Sequence, residues 1–312
     1  MPRDVVVSEI RALMDTNENI KETEGKGTHT NNLEQEYVAR PEVITFEDVV
    51  KAVPALAKHP KLVNWAFKLL AIDKVNYVHG KYCKTTGIPF SSLLVNEEYH
   101  WKLRVDNCEV LERFKTGPFI TVSNHPFGSY DGIILLHLVG SQRPDFKVMV
   151  NLILNQLQAM RPSFIAVDPM KSDDPEKKKI TMQGMRAAIK HVKEGHPLGF
   201  FPAGAISKID RHLRVTDREW QPVIMRLIRQ LQVPVIPIFF HGRNSTFFNI
   251  LGMIDWRLRT MRLPRELFAS YNKEVHVSIG DPISVEEQNS HETLEDLGKF
   301  LRAKTYELRN LK

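Results

Sequence analysis

The sequence predicts an α/β protein: a mixed or largely parallel sheet flanked by helices, with a helical N-terminal extension. Three observations predict it. Beyond about residue 100, short bounded runs rich in β-branched and aromatic residues (PFITVS, FKVMV, SFIAV, PLGFFP, VPVIPIFF) read as buried strands. Between them lie segments whose apolar residues recur at helical spacing. Polar, turn-rich loops follow the runs, where open α/β sheets form their ligand crevices.

Taken in order, residues 1–45 are polar, and GKGTHTNNLEQE within them reads as a flexible segment. Residues 46–99 form a helical region. Thr45 is placed to cap TFEDVV, KLVNWAFKLLAIDKVNYVHGKY (61–82) carries apolar stripes among lysines, and SSLLVNEEY adds a short helix. Residues 100–312 form the catalytic-sized domain. YHWKLRV is its first strand, with Asp106 placed to cap NCEVLERF. PFITVS follows, then the helix DGIILLHLVG with Asp131 at its start, then the strands FKVMV and SFIAV. DPEKKKITMQGMRAAIKHVKEG is the clearest helix: Asp174 caps, Pro175 suits the first turn, Gly195 suits the stop. Its inner face is Ile180, Met185, Ala188, Ile189 and Val192. PLGFFP and VPVIPIFF are strands separated by the amphipathic helix EWQPVIMRLIRQLQ; EVHVSIG is a late strand and HETLEDLGKFLRAKTYELRNL a terminal helix.

Bulk properties narrow the partners. A net charge of +6 and a pI near 9.2 favour an anionic partner, yet zinc-finger spacing, RNP-like aromatics and a dense basic arm are missing, so no nucleic acid is expected. Cys83 and Cys108 form no CxxC pair, and His137, His191, His196, His212 and His241 show no paired ligand spacing, so no metal is expected. The first twenty residues lack the apolar core of a secretion signal, and runs such as GIILLHLVG are too short to span a bilayer. The chain is expected in the cytoplasm or on a membrane face. WRLRTMRLPRELF (256–268), and Trp65, Phe67, Leu69 and Leu70 beside lysines, suit the headgroup boundary; packing on the main domain explains them equally.

The chemistry concentrates in SNHPFGSYDG, residues 123–132. His125 and Asp131 sit in a tight turn between two apolar runs. Either Asp131 orients His125 as a proton acceptor, or the polar side chains merely cap the next helix. Three further loops at strand ends, VDPMKSDDP, PAGAISKIDRH and HGRNST, favour the catalytic reading. Ser123 and Ser129 lack a GxSxG elbow, which argues against a serine nucleophile.

NHPFGSYD resembles the first motif of the glycerolipid acyltransferase superfamily of the lysophosphatidate acyltransferase type; SFIAVD, FFPAGAIS and VPVIPI resemble its second, third and fourth, in order, over residues 100–285. The NHP…G..DG form, FPAG…S and GRNSTFFN are similar to the hemolysin-like bacterial branch, which includes ornithine and glycine lipid O-acyltransferases. The resemblance implies an acyltransferase-like fold and transfer of a fatty acyl group from an acyl carrier protein or coenzyme A thioester to a lyso-lipid hydroxyl, with no cofactor beyond that co-substrate. It implies His125 as general base, Asp131 as its orienting acid, and a peripheral position on the inner face of the cytoplasmic membrane. Asn124 buttresses the turn or simply forms it. Gly204 and Ala205 are placed to offer backbone N–H groups to an oxyanion. Ser207 matches the third motif or caps a helix.

Three departures from the superfamily pattern matter. One residue more than usual separates His125 from Asp131, which Gly128 is suited to absorb. Ala203 and Ile206 stand where the third motif carries Glu and Arg, and Pro169 stands where the second ends in Arg. Loss of two guanidinium forks argues against a phosphate monoester on the acceptor. Lys208, Arg211 and Arg214 instead meet a carboxylate or headgroup, or are ordinary surface charges. The expected acceptor is therefore an amino-acid lyso-lipid, N-(3-hydroxyacyl) glycine or ornithine. The alternatives are lysophosphatidate and, from another class, hydrolysis of a lipid or thioester.

Overall fold

The computed structural model describes residues 39–168, 175–210 and 214–311, with side chains from residue 178 onward in the second span. The segment expected to be flexible before residue 39, Pro169, the Asp174 cap, Arg211 and His212 lie outside the described residues.

Four helices open the described chain: α1 (Phe46–Ala52), α2 (Pro60–Leu70), α3 (Ile72–Tyr82) and α4 (Ile88–Leu93). Thr45 caps α1 as expected, accepting from the Asp48 N–H while the Asp48 side chain accepts from Thr45 N–H. The pattern over 61–82 is not one helix. It breaks at Ala71, which adopts a left-handed conformation (φ 58°) and donates its N–H back to Lys68 and Phe67. Val78, Phe90, Leu94 and Val95 from this region join the core that also contains Ile134 and Ile236.

The sheet that follows has seven strands: β1 (Lys102–Asp106), β2 (Ile120–Ser123), β3 (Lys147–Asn151), β4 (Phe164–Val167), β5 (Leu198–Phe200), β8 (Val235–Phe240) and β9 (Glu274–Ile279). They lie in the order β1-β9-β8-β2-β5-β3-β4. Every pair is parallel except β8–β9, so the sheet is mixed and mostly parallel. A small antiparallel hairpin, β6 (Lys208–Ile209) and β7 (Val215–Thr216), stands apart. The intervening helices are α5 (Glu109–Glu112), α6 (Tyr130–Gly140), α7 (Pro175–Lys193), α8 (Pro222–Leu231), α9 (Thr246–Ile254), α10 (Trp256–Phe268), α11 (Val285–Asn289) and α12 (Leu294–Glu307).

Strand period 2 divides the core. In β8, Ile236, Ile238 and Phe240 face the N-terminal helices and α6, while Val235 packs with Met225 and Ile228 of α8 and Leu297 and Leu301 of α12. On α7, Ala188 and Val192 are buried, with Met185 and Ile189 packed beside them, as the helical spacing predicts. Asp106 does not cap α5. Cys108 stands at that cap without a side-chain bond, and the Asp106 carboxylate instead turns across the sheet to accept from His276 Nε2 at 2.5 Å and Ser278 Oγ at 2.7 Å. β2, β5 and β8 run parallel as neighbours, so their carboxyl ends and the loops that follow share one edge.

Candidate active site

The turn after β2 is built by its own polar side chains. Asn124 extends the β2–β8 pairing: its Nδ2 donates to the Phe240 carbonyl at 2.9 Å and its Oδ1 accepts from the Phe240 N–H at 2.7 Å. The amide thus buttresses the turn, and its side chain is buried. Asn244 holds the other side, donating to the Phe127 carbonyl at 2.8 Å. Gly128 then takes φ +74°, open to glycine at little cost. That conformation aims the Phe127 and Gly128 N–H groups at Asp131 Oδ2, both at 3.1 Å, while Gly132 N–H meets Oδ1 at 3.1 Å.

The extra residue is absorbed, and the pair closes. His125 Nδ1 lies 2.8 Å from Asp131 Oδ2, with the oxygen out of line with the ring N–H, so the contact is an ion-pair contact more than an aligned hydrogen bond. Asp131 is fully buried, whereas the His125 side chain keeps 19% exposure. The imidazole lies against the Phe201 ring, 4.3 Å between centroids. One carboxylate thus holds three N–H groups of the turn and the first helical turn and also contacts His125, while Ser129 at the helix start receives no side-chain cap bond.

The loop after β5, Phe201–Ser207, forms the opposite wall. Gly204 has φ +61°, and a Cβ there would stand 1.9 Å from Gln221 Nε2. Its N–H donates to the Phe201 carbonyl at 2.9 Å, so Gly204 shapes the turn and has no N–H to offer an oxyanion. Ser207 N–H donates to the His125 carbonyl at 2.9 Å. Ser207 Oγ donates to Asp217 Oδ1, which also accepts from His125 N–H at 3.3 Å. Ser207 is therefore a buried bridge between loops and caps no helix. Ile206 occupies its motif position by packing over the first turn; a Cβ on Gly128 would meet Ile206 Cγ1 at 2.4 Å. Lys208 is exposed at the start of β6, and Arg214 pairs with Asp210 at 3.5 Å.

Two buried charges here escaped the sequence reading. Asp217 follows β7. Arg259, from α10, donates to the carbonyls of Ser207 (3.1 Å) and Ile206 (3.0 Å). The expectation that α10 turns its arginines to a headgroup boundary is thus corrected for Arg259, which is almost wholly buried. These charges set the site's electrostatics. Burial, the largest single influence, opposes a charged His125, but the Asp131 and Asp217 carboxylates together overcome burial and Arg259, so the imidazole binds its proton more tightly than usual. Burial pushes the Asp217 carboxyl up against the hydrogen bonds it accepts.

Among the described residues one set of potential metal ligands occurs, Asp106, His241 and His276, with ligand atoms within 4.8 Å of one another. Sequence spacing missed it because its members come from β1, from β9 and from the residue after β8, far apart in the chain. Ser278 links them: its hydroxyl contacts His241 Nε2 at 2.8 Å and donates to Asp106. The imidazoles stack at 3.9 Å, and burial together with the facing His276 pushes His241 down to about 4. Mutual hydrogen bonds account for all three side chains.

Exposed apolar side chains gather on three helices, α2, α9 and α10. The Arg265 guanidinium on α10 donates to the Lys68 and Leu69 carbonyls at the end of α2. Leu62, Trp65 and Leu69 of α2 are exposed, and so are Phe247, Met253 and Ile254 of α9 and Trp256 and Met261 of α10. Phe67 and Leu70 are half-buried against the fold. Among the described residues no helix is long and apolar enough to cross a membrane.

The sequence model of the family described as Acyltransferase matches residues 48–312. The chain belongs to that family. This acyltransferase is 24% identical over 254 residues, 79% of its length and 89% of the relative's, to a lyso-glycine lipid O-acyltransferase of Bacteroides thetaiotaomicron. It is 26% identical over 201 residues, 62% of its length and 69% of the relative's, to a lyso-glycine lipid O-acyltransferase of Phocaeicola vulgatus. Among solved structures, the 1-acyl-sn-glycerophosphate (LPA) acyltransferase PlsC of Thermotoga maritima matches with a TM-score of 0.46 and 15% identity, over 85% of the acyltransferase and 93% of PlsC.

Proposed function

We propose that this acyltransferase moves a fatty acyl group from an acyl carrier protein or coenzyme A thioester to the hydroxyl of an amino-acid lyso-lipid, with N-(3-hydroxyacyl) glycine as the preferred acceptor. The observation that carries the chemistry is the closure of His125 Nδ1 on the buried Asp131 carboxylate at 2.8 Å. An alcohol needs a base to attack at neutral pH, and imidazole has the right proton affinity. With Nδ1 facing Asp131, Nε2 receives the hydroxyl proton. The freed oxygen attacks the thioester carbon, the tetrahedral oxyanion collapses, the C–S bond breaks, and the departing sulfur recovers the proton from Nε2. Asp131 holds the tautomer and stabilises the imidazolium between the two transfers. With the Gly204 and Ser207 N–H groups committed elsewhere, Ala205 N–H is the donor assigned to the oxyanion.

The acceptor assignment rests on three supports. Ile206 fills the space beside Gly128 where the superfamily pattern carries a guanidinium, Lys208 is exposed next to the turn to meet a carboxylate, and the relatives found are named for lyso-glycine lipid. Labelled acyl carrier protein and coenzyme A thioesters, offered with equal lyso-glycine lipid, lyso-ornithine lipid and lysophosphatidate, test it. Lyso-glycine lipid is expected to react at least about tenfold faster than lysophosphatidate, the value of one lost charged contact. Preference for lysophosphatidate would sink the headgroup assignment. Thioester hydrolysis independent of any acceptor would replace transfer by hydrolysis.

The exposed apolar side chains of α2, α9 and α10, with Arg257 and Lys68 among them, hold the enzyme on an anionic lipid surface, the inner face of the cytoplasmic membrane. α9 follows the His241–Ser245 loop, which braces the His125 turn through Asn244, so lipid docked there lies next to the reacting groups. A Trp65→Ser, Ile254→Ser double variant is expected to lose about tenfold in partitioning to vesicles of anionic phospholipid, while acylating detergent-dispersed acceptor at the original rate. Undiminished co-sedimentation with the vesicles would place the docking surface elsewhere.

A further inference from the structure

Asp217 is a buried acid whose neighbours are all assigned. Its backbone N–H donates to Tyr306 Oη at 2.7 Å and its carbonyl accepts from Arg302 at 3.1 Å, which fixes its backbone to α12. Trp220 Nε1 donates to Oδ2 at 3.3 Å. The remaining oxygen, Oδ1, points into the candidate site, where it accepts from Ser207 Oγ and from the His125 N–H. Among the described residues no lysine or arginine forms an ion pair with this carboxylate. A buried acid without a cationic partner is costly to keep. The groups it grips belong to the two loops that meet at His125.

We propose that Asp217 is a positioning residue for His125: by gripping the His125 N–H and Ser207 together, while Ser207 N–H holds the His125 carbonyl, it fixes the main chain from which the imidazole projects. The inference rests on His125 being the base of the proposed reaction. His125 is then pinned at its own N–H and C=O, and its ring is set by Asp131 on one side and Phe201 on the other. Rotation of the ring about that anchored backbone decides whether Nε2 reaches the acceptor hydroxyl. Misplacement by about 1 Å costs on the order of 10²-fold in rate. The charged groups that face His125 are Asp131, Asp217 and Arg259. Of these, Asp217 acts on the imidazole through its backbone and its charge, without touching the acceptor.

Two variants separate geometry from charge. Asp217→Ala removes both and is expected to lower kcat by about 10- to 100-fold, with the KM for the acyl thioester within about twofold of the original. Asp217→Asn keeps an oxygen for the His125 N–H and Ser207 Oγ, so it recovers most of that loss. In the Asn variant the rise of kcat/KM with pH moves to lower pH, because a negative charge that favours the imidazolium is gone. A merely structural residue would give neither the conservative rescue nor the displaced profile. A kcat for Asp217→Ala within about twofold of the original, or an Asn variant as slow as Ala with an unmoved profile, overturns the proposal. Should Asp217→Ala fail to fold, Ser207→Ala, which removes only the bridging hydroxyl, carries the test: a loss of about fivefold or more supports the grip and an unchanged kcat refutes it. Full activity in His125→Ala would sink the base assignment itself. An inactive His125→Ala beside fast Asp217 variants sinks only this inference.

Discussion

His125→Ala is expected to lower kcat for acyl transfer by about 10²- to 10⁴-fold, the usual worth of a positioned general base. The fold should survive, which makes the result readable. The side chain is partly exposed, its ring lies tilted against Phe201, and its backbone bonds to Asp217 and Ser207 do not involve the ring. Asp131 also remains satisfied, since three backbone N–H groups bind it independently of the imidazole. Steady-state transfer beside a melting curve of the same preparation checks both points. The pH dependence adds a signature. Burial depresses the imidazolium, but Asp131 and Asp217 together outweigh that effect, so the wild-type rate should rise with pH through an apparent pKa above the free-imidazole value of about 6.5. A folded alanine variant with near-native kcat would remove His125 from the mechanism.

Asp131→Asn is expected to harm the enzyme twice. Its carboxylate has no exposure and accepts three backbone N–H groups while facing His125 Nδ1. An amide at this place has one oxygen for that set and turns an NH₂ group toward donors. The turn should lose about 1–3 kcal/mol, the cost of leaving buried donors unpaired. The reaction should slow by about 10²-fold or more, because the tautomer is no longer fixed and the imidazolium has lost its counter-charge. The two losses are separable: denaturant titration reports the first and kcat at saturating thioester the second. Removing the charge should also move the activity limb toward lower pH. An Asn variant with the original limb would mean that the carboxylate is a cap alone.

Much of this architecture was legible because local chemistry and tertiary need agree. The VPVIPIFF run is apolar throughout because β8 is central, paired to β2 and β9 and covered on both faces. Thr45 announces a helix start and makes one, with Asp48 completing the capping box. The four loops predicted at strand ends follow β2, β4, β5 and β8, and the described parts of those after β2, β5 and β8 gather at one edge. What escaped has no local signal. Ala71 breaks the 61–82 pattern without a glycine or proline to mark it. Asp106 reads as a cap from its neighbours, yet its partners lie about 170 positions away in β9. α10 reads as an even scatter of arginines, and only the carbonyls of Ile206 and Ser207 distinguish Arg259 from the rest. Asp217 is hidden for the same reason: what makes it special is a bond to a residue 92 positions earlier.

The double attachment of His125 to the Ser207–Asp217 segment bears on how this enzyme can diversify. In the proposed reaction, the wall assigned to the headgroup and the strut assigned to the proton acceptor are the same piece of chain. A substitution that recolours that wall for a new lipid is felt at once in turnover. New acceptor preferences are therefore reached most cheaply by exchanging the His125 loop and the Ser207–Asp217 segment as a single cassette.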